Sequence, residues 1–277
     1  GHSAGDHAPG LEDPGKSYVA AHHLMLAHHA GMAAMREGPD GPDLGIVLNL
    51  IPAWPASDDE ADRVAAEGVD AVNNKIFLDA VFTGTYPDLI AGYHEKLGVG
   101  GEIDAGRLAR SVVPIDFLGV NYYNINRFAH KEGGSLPSWP GVDDVEIVTP
   151  PGHLTEMGWG VEPHGLRWIL ERTFDEYGPI PMFVTENGAA YPDEPGVDGA
   201  VHDADRREYI RSHIGAVHDA MQNGVDVRGY FVWSLLDNFE WAKGYSKRFG
   251  IVRVDYDTME RTVKESGHWY RAFLGDE

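Results

Sequence analysis

Four short apolar runs, each closed by polar or turn residues and separated by long stretches of helical periodicity, constrain this chain's fold more than anything else in it. They occupy residues 44–50 (LGIVLNL), 115–123 (IDFLGVNYY), 182–186 (MFVTE) and 227–236 (VRGYFVWSLL). Short, continuous apolar runs bounded by turn residues are the pattern of buried parallel strands. Between them, apolar residues recur at helical spacing. The first helix is predicted over 17–37, from a Ser17 cap to a Gly38-Pro39 stop, and the second over 61–78. The third covers 162–177 (Leu166, Ile169, Leu170 and Phe174 on one face), and the fourth runs over 203–223 to the Asn223-Gly224 stop. A last helix is predicted over 263–274. Alternating strands and helices imply an α/β fold with a parallel sheet and right-handed crossovers. Four such units amount to half of an eightfold (β/α)8 barrel, whose binding loops follow the strands. The segments 131–151 and 190–199, rich in Gly and Pro, follow the second and third strands and read as such loops.

Composition removes several function classes. The 277 residues carry a formal net charge of −22, which repels nucleic acid and anionic membrane surfaces. No apolar stretch reaches the roughly 18 residues of a membrane-spanning helix. There is no cysteine, which excludes disulfides and thiolate metal sites. The opening GHSAGDHAPG has no basic patch followed by an apolar run, so a cytoplasmic location is expected. No cofactor is expected either. The glycines of Gly98-Val99-Gly100-Gly101 lack the preceding strand, following helix and lysine of a phosphate loop, and read as a turn. His22, His23, His28 and His29 lack an i, i+4 ligand pair or an accompanying carboxylate, and read as packing or surface histidines.

Glu186 ends the third run just before a glycine, where barrel enzymes place catalytic groups. A glutamate there could equally cap the next helix. Its neighbourhood favours chemistry: Asn121 and Tyr123 end the second run, Glu240 and Trp241 follow the fourth, and Trp159 lies in the loop before Glu186. Carboxylates that accept from hydroxyls, with flat indole faces, are the groups that recognise sugars.

The series HAPG, DFLGVNYY, TEMGW, VTENG and WSLLDNFEW…GYSKRFGIVRVDY, in this order along nearly the whole chain, resembles glycoside hydrolase family 1, the β-glucosidase family of retaining enzymes. The resemblance implies a role for each matching position. Glu186 corresponds to the nucleophile, Tyr123 to the tyrosine that hydrogen-bonds it, and Asn121 to a residue lining the same pocket. Glu240, beside Trp241, corresponds to the residue that grips the outer hydroxyls of the sugar. Trp233 corresponds to the indole beneath the ring, Trp159 to an aglycone platform and Phe249 to a pocket wall. Asp237 is expected to support its loop, and Arg253, Asp255 and Tyr256 to tie down the last one. A carboxylate at Glu240 would repel a sugar phosphate, so plain β-glycosides are the expected substrates.

One departure bears on mechanism. Retaining hydrolysis needs a second carboxyl about 5–5.5 Å from the nucleophile; the family carries it in an Asn-Glu-Pro motif, and this sequence contains none. Residues 1–277 are therefore expected to form the C-terminal half of a single (β/α)8 glycosidase domain, strands five to eight with their helices. The expected partner is a complementary N-terminal half-barrel that carries the acid/base glutamate. The isolated chain is expected to be inactive. The alternatives are a catalytically inert half-barrel that binds sugar or a protein partner, and an engineered split barrel.

Overall fold

The computed structural model describes residues 1–38 and 41–275. Contacts divide the chain into two compact units, Gly1–Leu118 with Asn126–Thr149, and Gly119–Ile125 with the chain from Pro150 onward.

The first unit opens with α1 (Pro14–Met35). This helix starts earlier than the predicted Ser17 cap. Asp13 accepts from the Lys16 N–H at 3.0 Å, and Pro14 takes the first position, where its missing N–H and fixed φ cost nothing. Ser17 lies inside the first turn and donates to the Pro14 carbonyl. The predicted Gly38-Pro39 stop falls partly outside the described residues. The histidines of α1 resolve by burial. His22 and His29 are buried and each bridges two elements. The Asp104 N–H donates to Nε2 of His22, so its Nδ1 carries the proton toward Tyr86. The Val113 N–H donates to Nδ1 of His29, whose Nε2 donates to the Ala80 carbonyl. Both rings act as struts, one ring nitrogen accepting and the other donating.

Next come β1 (Gly45–Asn49), β2 (Ala53–Pro55) and α2 (Glu60–Asp70), then a π-helical turn over Ala71–Lys75 and α3 (Ile76–Phe82). The helical pattern at 61–78 is thus real but interrupted. Two short helices, α4 (Asp88–Lys96) and α5 (Ala105–Ser111), were not evident in the sequence pattern. β3 (Phe117–Asn121) begins in this unit beside β1, where Leu44 and Asp116 exchange hydrogen bonds of 2.7 Å.

The expected loop at 131–151 is instead largely a hairpin of β4 (Asn126–Ser135) and β5 (Asp143–Val148). Phe128, Val142 and Val145 bury themselves against Ala65, Ala66 and Val69 of α2. The register breaks between His130 and Ser135, where Gly133 has a φ of +70°. That break hid the strand periodicity.

The second unit holds the rest of β3, then α6 (Pro163–Tyr177), β6 (Met182–Asn187), α7 (Ala204–Gln222) and β7 (Val227–Val232). The hairpin β8 (Val252–Val254)–β9 (Arg261–Val263) and α8 (Glu265–Phe273) complete it. The fold is α/β. β6 and β7 run parallel. The fourth strand stops at Val232 rather than at residue 236, and Val263, expected in the last helix, belongs to β9. Ala189, Tyr191, Tyr209, Ile210 and Ile251 form the core beside these strands. α6 comes close because Gly165 has no side chain; a Cβ there would collide with Tyr122 and Ile125. The Tyr122 hydroxyl can then donate to the Glu162 carbonyl at 2.6 Å. Among the described residues no helix is long and apolar enough to cross a membrane.

Candidate active site

The site is built where β3 and β6 end. Met182 and Val184 are wholly buried, which anchors β6 in the core. Past Val184 the register with β7 slips: the pairs move from Val184 with Tyr230 to Asn187 with Val232. Three steps along β6 match two along β7, an irregularity of the bulge type that re-aims side chains. Glu186 sits in that interval. Its carbonyl accepts from the Tyr122 N–H at 3.0 Å, and its Oε2 accepts from the Tyr123 hydroxyl at 2.5 Å. Burial pushes the Tyr123 phenol well above its ordinary range, reinforced by the bond to Glu186 and by the charges of Glu186 and Glu240. Tyr123 therefore stays protonated and serves as a donor to a carboxylate, a charge-assisted bond. Asn121, half-buried like Tyr123, has its Oδ1 taken by the Thr185 hydroxyl at 2.7 Å.

Three rings enclose the Tyr123 side. Trp159 and Phe249 lie 5.6 and 6.2 Å from the Tyr123 ring and 6.1 Å from each other, centroid to centroid. The structure thus brings together Glu186, Tyr123, Trp159 and Phe249, with Asn121 joined through Thr185. Trp233 is tied in by its backbone, its N–H donating to the Asn187 carbonyl at 2.9 Å. The peptide that follows it, Trp233–Ser234, is cis. Gly188 permits this approach, since any Cβ at that position would overlap the Trp233 carbonyl oxygen. Glu240 reaches the group through its charge on Tyr123 and starts a tight turn, its N–H donating to the Gly244 carbonyl at 2.7 Å. Trp241 follows with a φ of +40°, a region costly for a bulky side chain and met mostly where function holds it. It is 67 % exposed.

Below these loops lies a buried ion network that sequence reasoning missed, apart from the expectation that Asp237 supports its loop. Arg206 grips Asp193 with two bonds of 2.8 Å and also pairs with Asp203. Lys264 bridges Asp193 and Asp237, the latter at 2.8 Å. Asp237 also accepts from Arg248 at 2.6 Å and from the Gly250 N–H at 3.0 Å. Asp193, Asp203, Asp237, Arg206 and Lys264 are buried. With the half-buried Arg248 as a third base, the charges of the three buried acids are balanced, which makes their burial tolerable. Burial, then the Arg206 guanidinium, pulls the Lys264 ammonium below its ordinary range, while Asp193 and Asp237 oppose the shift. The last loop is fastened beside it: Arg253 donates to the Asp193 carbonyl at 3.2 Å, and Asp255 accepts from the N–H groups of Asp257 and Thr258. Acids and bases scattered between positions 193 and 264 leave no local pattern to read. Among the described residues no three His, Asp or Glu side chains are grouped to hold a metal ion.

Comparison with known proteins agrees with this architecture. The model of Glycosyl hydrolase family 1 matches residues 1–277. A bifunctional β-D-glucosidase/β-D-fucosidase of Bifidobacterium breve is 43 % identical, over 98 % of this chain and 60 % of that protein. Beta-glucosidase A of Thermotoga maritima is 42 % identical, over 98 % of this chain and 59 % of its own length. A solved psychrophilic β-glucosidase of Micrococcus antarcticus superposes with a TM-score of 0.92 at 42 % identity, covering 99 % of this chain and 61 % of that one. The Thermotoga maritima β-glucosidase bound to glucoimidazole superposes at 0.88 with 40 % identity, over 99 % of this chain and 60 % of that one. The chain thus spans about three fifths of the length of the relatives it matches. With the family model matched from end to end and an α/β fold shared with its solved members, the chain belongs to glycosyl hydrolase family 1.

Proposed function

We propose that this chain is the nucleophile-bearing part of a retaining β-glycosidase acting on non-phosphorylated β-glycosides, and the C-terminal half of one (β/α)8 barrel domain. The observation that carries the reading is the 2.5 Å bond from the Tyr123 hydroxyl to Glu186 Oε2. It holds a carboxyl group at a strand end, among aromatic rings, with one oxygen engaged and the other available to attack. In the first step Glu186 attacks the anomeric carbon and forms a glycosyl ester, while an acid protonates the departing oxygen. In the second step the same group, now a base, takes a proton from water, and the water displaces Glu186. That second carboxyl is proposed to come from a complementary segment completing the barrel. Trp159 and Phe249 would present flat faces to the substrate, Trp233 would lie beneath the sugar, and Glu240 with Trp241 would bind its outer hydroxyls. Asn121 would line the floor.

The test is trapping with an activated 2-deoxy-2-fluoro-β-glucoside, followed by peptide mass mapping. The expected result is a single fluoroglycosyl adduct on Glu186 in the complemented protein, absent in Glu186→Gln. The separate 277-residue chain should show negligible turnover of a nitrophenyl β-glucoside. Labelling at another residue, or robust hydrolysis by the separate chain, would overturn the reading; no labelling of the complemented protein would overturn it in favour of an inert sugar- or protein-binding half-barrel.

A further inference from the structure

We infer that Asn187 is the positioning residue of the Tyr123–Glu186 pair, acting through the hydroxyls of Tyr209 and Tyr230. The inference rests on Glu186 being the nucleophile. Asn187 follows Glu186 directly and is wholly buried. Its Nδ2 lies 2.8 Å from the Tyr122 carbonyl and 3.1 Å from the Tyr209 hydroxyl. Tyr209 in turn donates to the Tyr123 carbonyl at 2.8 Å. On the other side Tyr230 donates to Asn187 Oδ1 at 2.6 Å.

These bonds allow one assignment only. A carbonyl can only accept, so the amide nitrogen must face Tyr122. The Tyr209 hydroxyl spends its single hydrogen on the Tyr123 carbonyl, so it must accept from Asn187. The amide's remaining oxygen takes the Tyr230 proton, and every donor is used once. Asn187 thereby fixes two successive carbonyls, those of Tyr122 and Tyr123. They belong to the backbone that carries the phenol bonded to Glu186. The same strand end is therefore held from both sides, by Glu186 itself through the Tyr122 N–H and by its neighbour through the carbonyls. The inner shape is supplied by packing: the His213 ring stacks on Tyr209 at 3.9 Å. An aspartate at 187 would bury a charge and lose both donors. An apolar side chain would leave two tyrosine hydroxyls and one carbonyl without their partner.

The experiment uses the complemented, active protein and its Tyr209→Phe variant, which keeps the ring and removes the hydroxyl that links Asn187 to the Tyr123 carbonyl. The first readout is the rate of fluoroglycosyl trapping at saturating reagent, and the second is the dissociation constant of glucoimidazole, a non-covalent sugar mimic. Trapping should slow by about tenfold or more, since displacements of an ångström cost on the order of 10²-fold, with the dissociation constant nearly unchanged. Combined with Tyr123→Phe, Tyr209→Phe should add little further loss, because both act through one bond. Tyr230→Phe, which frees the amide oxygen, should show the same split more weakly and serves if Tyr209→Phe does not fold. Trapping at the wild-type rate in both variants overturns the inference, as does a slowing that multiplies with that of Tyr123→Phe. If the unsubstituted protein is trapped away from Glu186, the nucleophile assignment itself fails and the inference falls with it.

Discussion

Two buried polar networks flank the candidate site, and they are built from opposite materials. The one at the end of β6 is neutral: an amide, two tyrosine hydroxyls and backbone carbonyls around Asn187. The one beneath the loops after β6 and β7 is ionic, with Asp193, Asp203 and Asp237 against Arg206, Lys264 and Arg248. Neutral hydrogen bonds add little net energy but specify direction, because each donor must find one acceptor. Charges hold from several directions at once, and the cost appears when a partner is removed. The contrast suggests a division of labour. Atoms next to Glu186 are aimed by the neutral set, while the longer loops bearing Glu240 and Phe249 are held in place by the ionic one.

The largest expected effect is that of Lys264→Met. It leaves Asp193 and Asp237 buried with one base fewer, and should lower the unfolding free energy by about 3–5 kcal/mol in a urea titration. A loss of less than about 1 kcal/mol would mean that the acids find other partners and that the network is not the support described. The next effect in size is acid sensitivity on the neutral side. Burial lowers the His213 pKa to about 3 from 6.5, the Tyr209 carbonyl opposing and His164 adding to it. Its Nδ1 donates to that carbonyl at 2.7 Å. Because the folded value is depressed, the unfolded state binds more protons between those limits. Stability is then fully present above pH 6.5 and declines as pH falls toward 3, by on the order of 4 kcal/mol. His213→Phe removes this titration, so the difference between wild type and variant should change along that window; parallel pH curves would refute it.

Smaller still, Tyr123→Phe should cost about 1.5–3 kcal/mol or less in stability, the range for a bond to a charged group, because Glu186 is only partly buried. Its larger consequence should be in trapping rate. Last, Arg211→Ala removes an exposed pair with Glu208 and should change stability by under about 1 kcal/mol. It calibrates what an ion pair contributes outside the network, and an effect as large as that of Lys264→Met would erase the distinction drawn between buried and surface charge.

How much of this was readable beforehand follows from how local each signal is. The four strands and the main helices were legible because burial on one face leaves a periodic trace within ten or twenty residues. The β4–β5 hairpin was not, since Gly133 and the slip near it break the alternation where it would have been counted. Sequence places the first helix's cap at Ser17, four residues past Asp13, because Ser and Asp cap about equally well and only the geometry of the first turn separates them. At the site, Glu186 and Tyr123 were legible through the motifs around them. Asn187 stood in the same motif, yet its partners Tyr209 and Tyr230 come from other elements and only folding assembles them. The ionic network was invisible for the same reason, apart from the loop-supporting role expected for Asp237.

The slip in register near Glu186 has a last consequence, for the parity of the strand. Side chains along β6 alternate between two faces, and the extra step changes which face each later residue takes. Deleting one residue at 185 or 186 would therefore shorten the strand and also invert its end, exchanging the side that holds Asn187 in the core with the side that offers a carboxylate. Insertions and deletions should be tolerated in the loop at 194–199, where side chains are largely exposed, and rejected at this one step of the backbone, however conservative the residues involved.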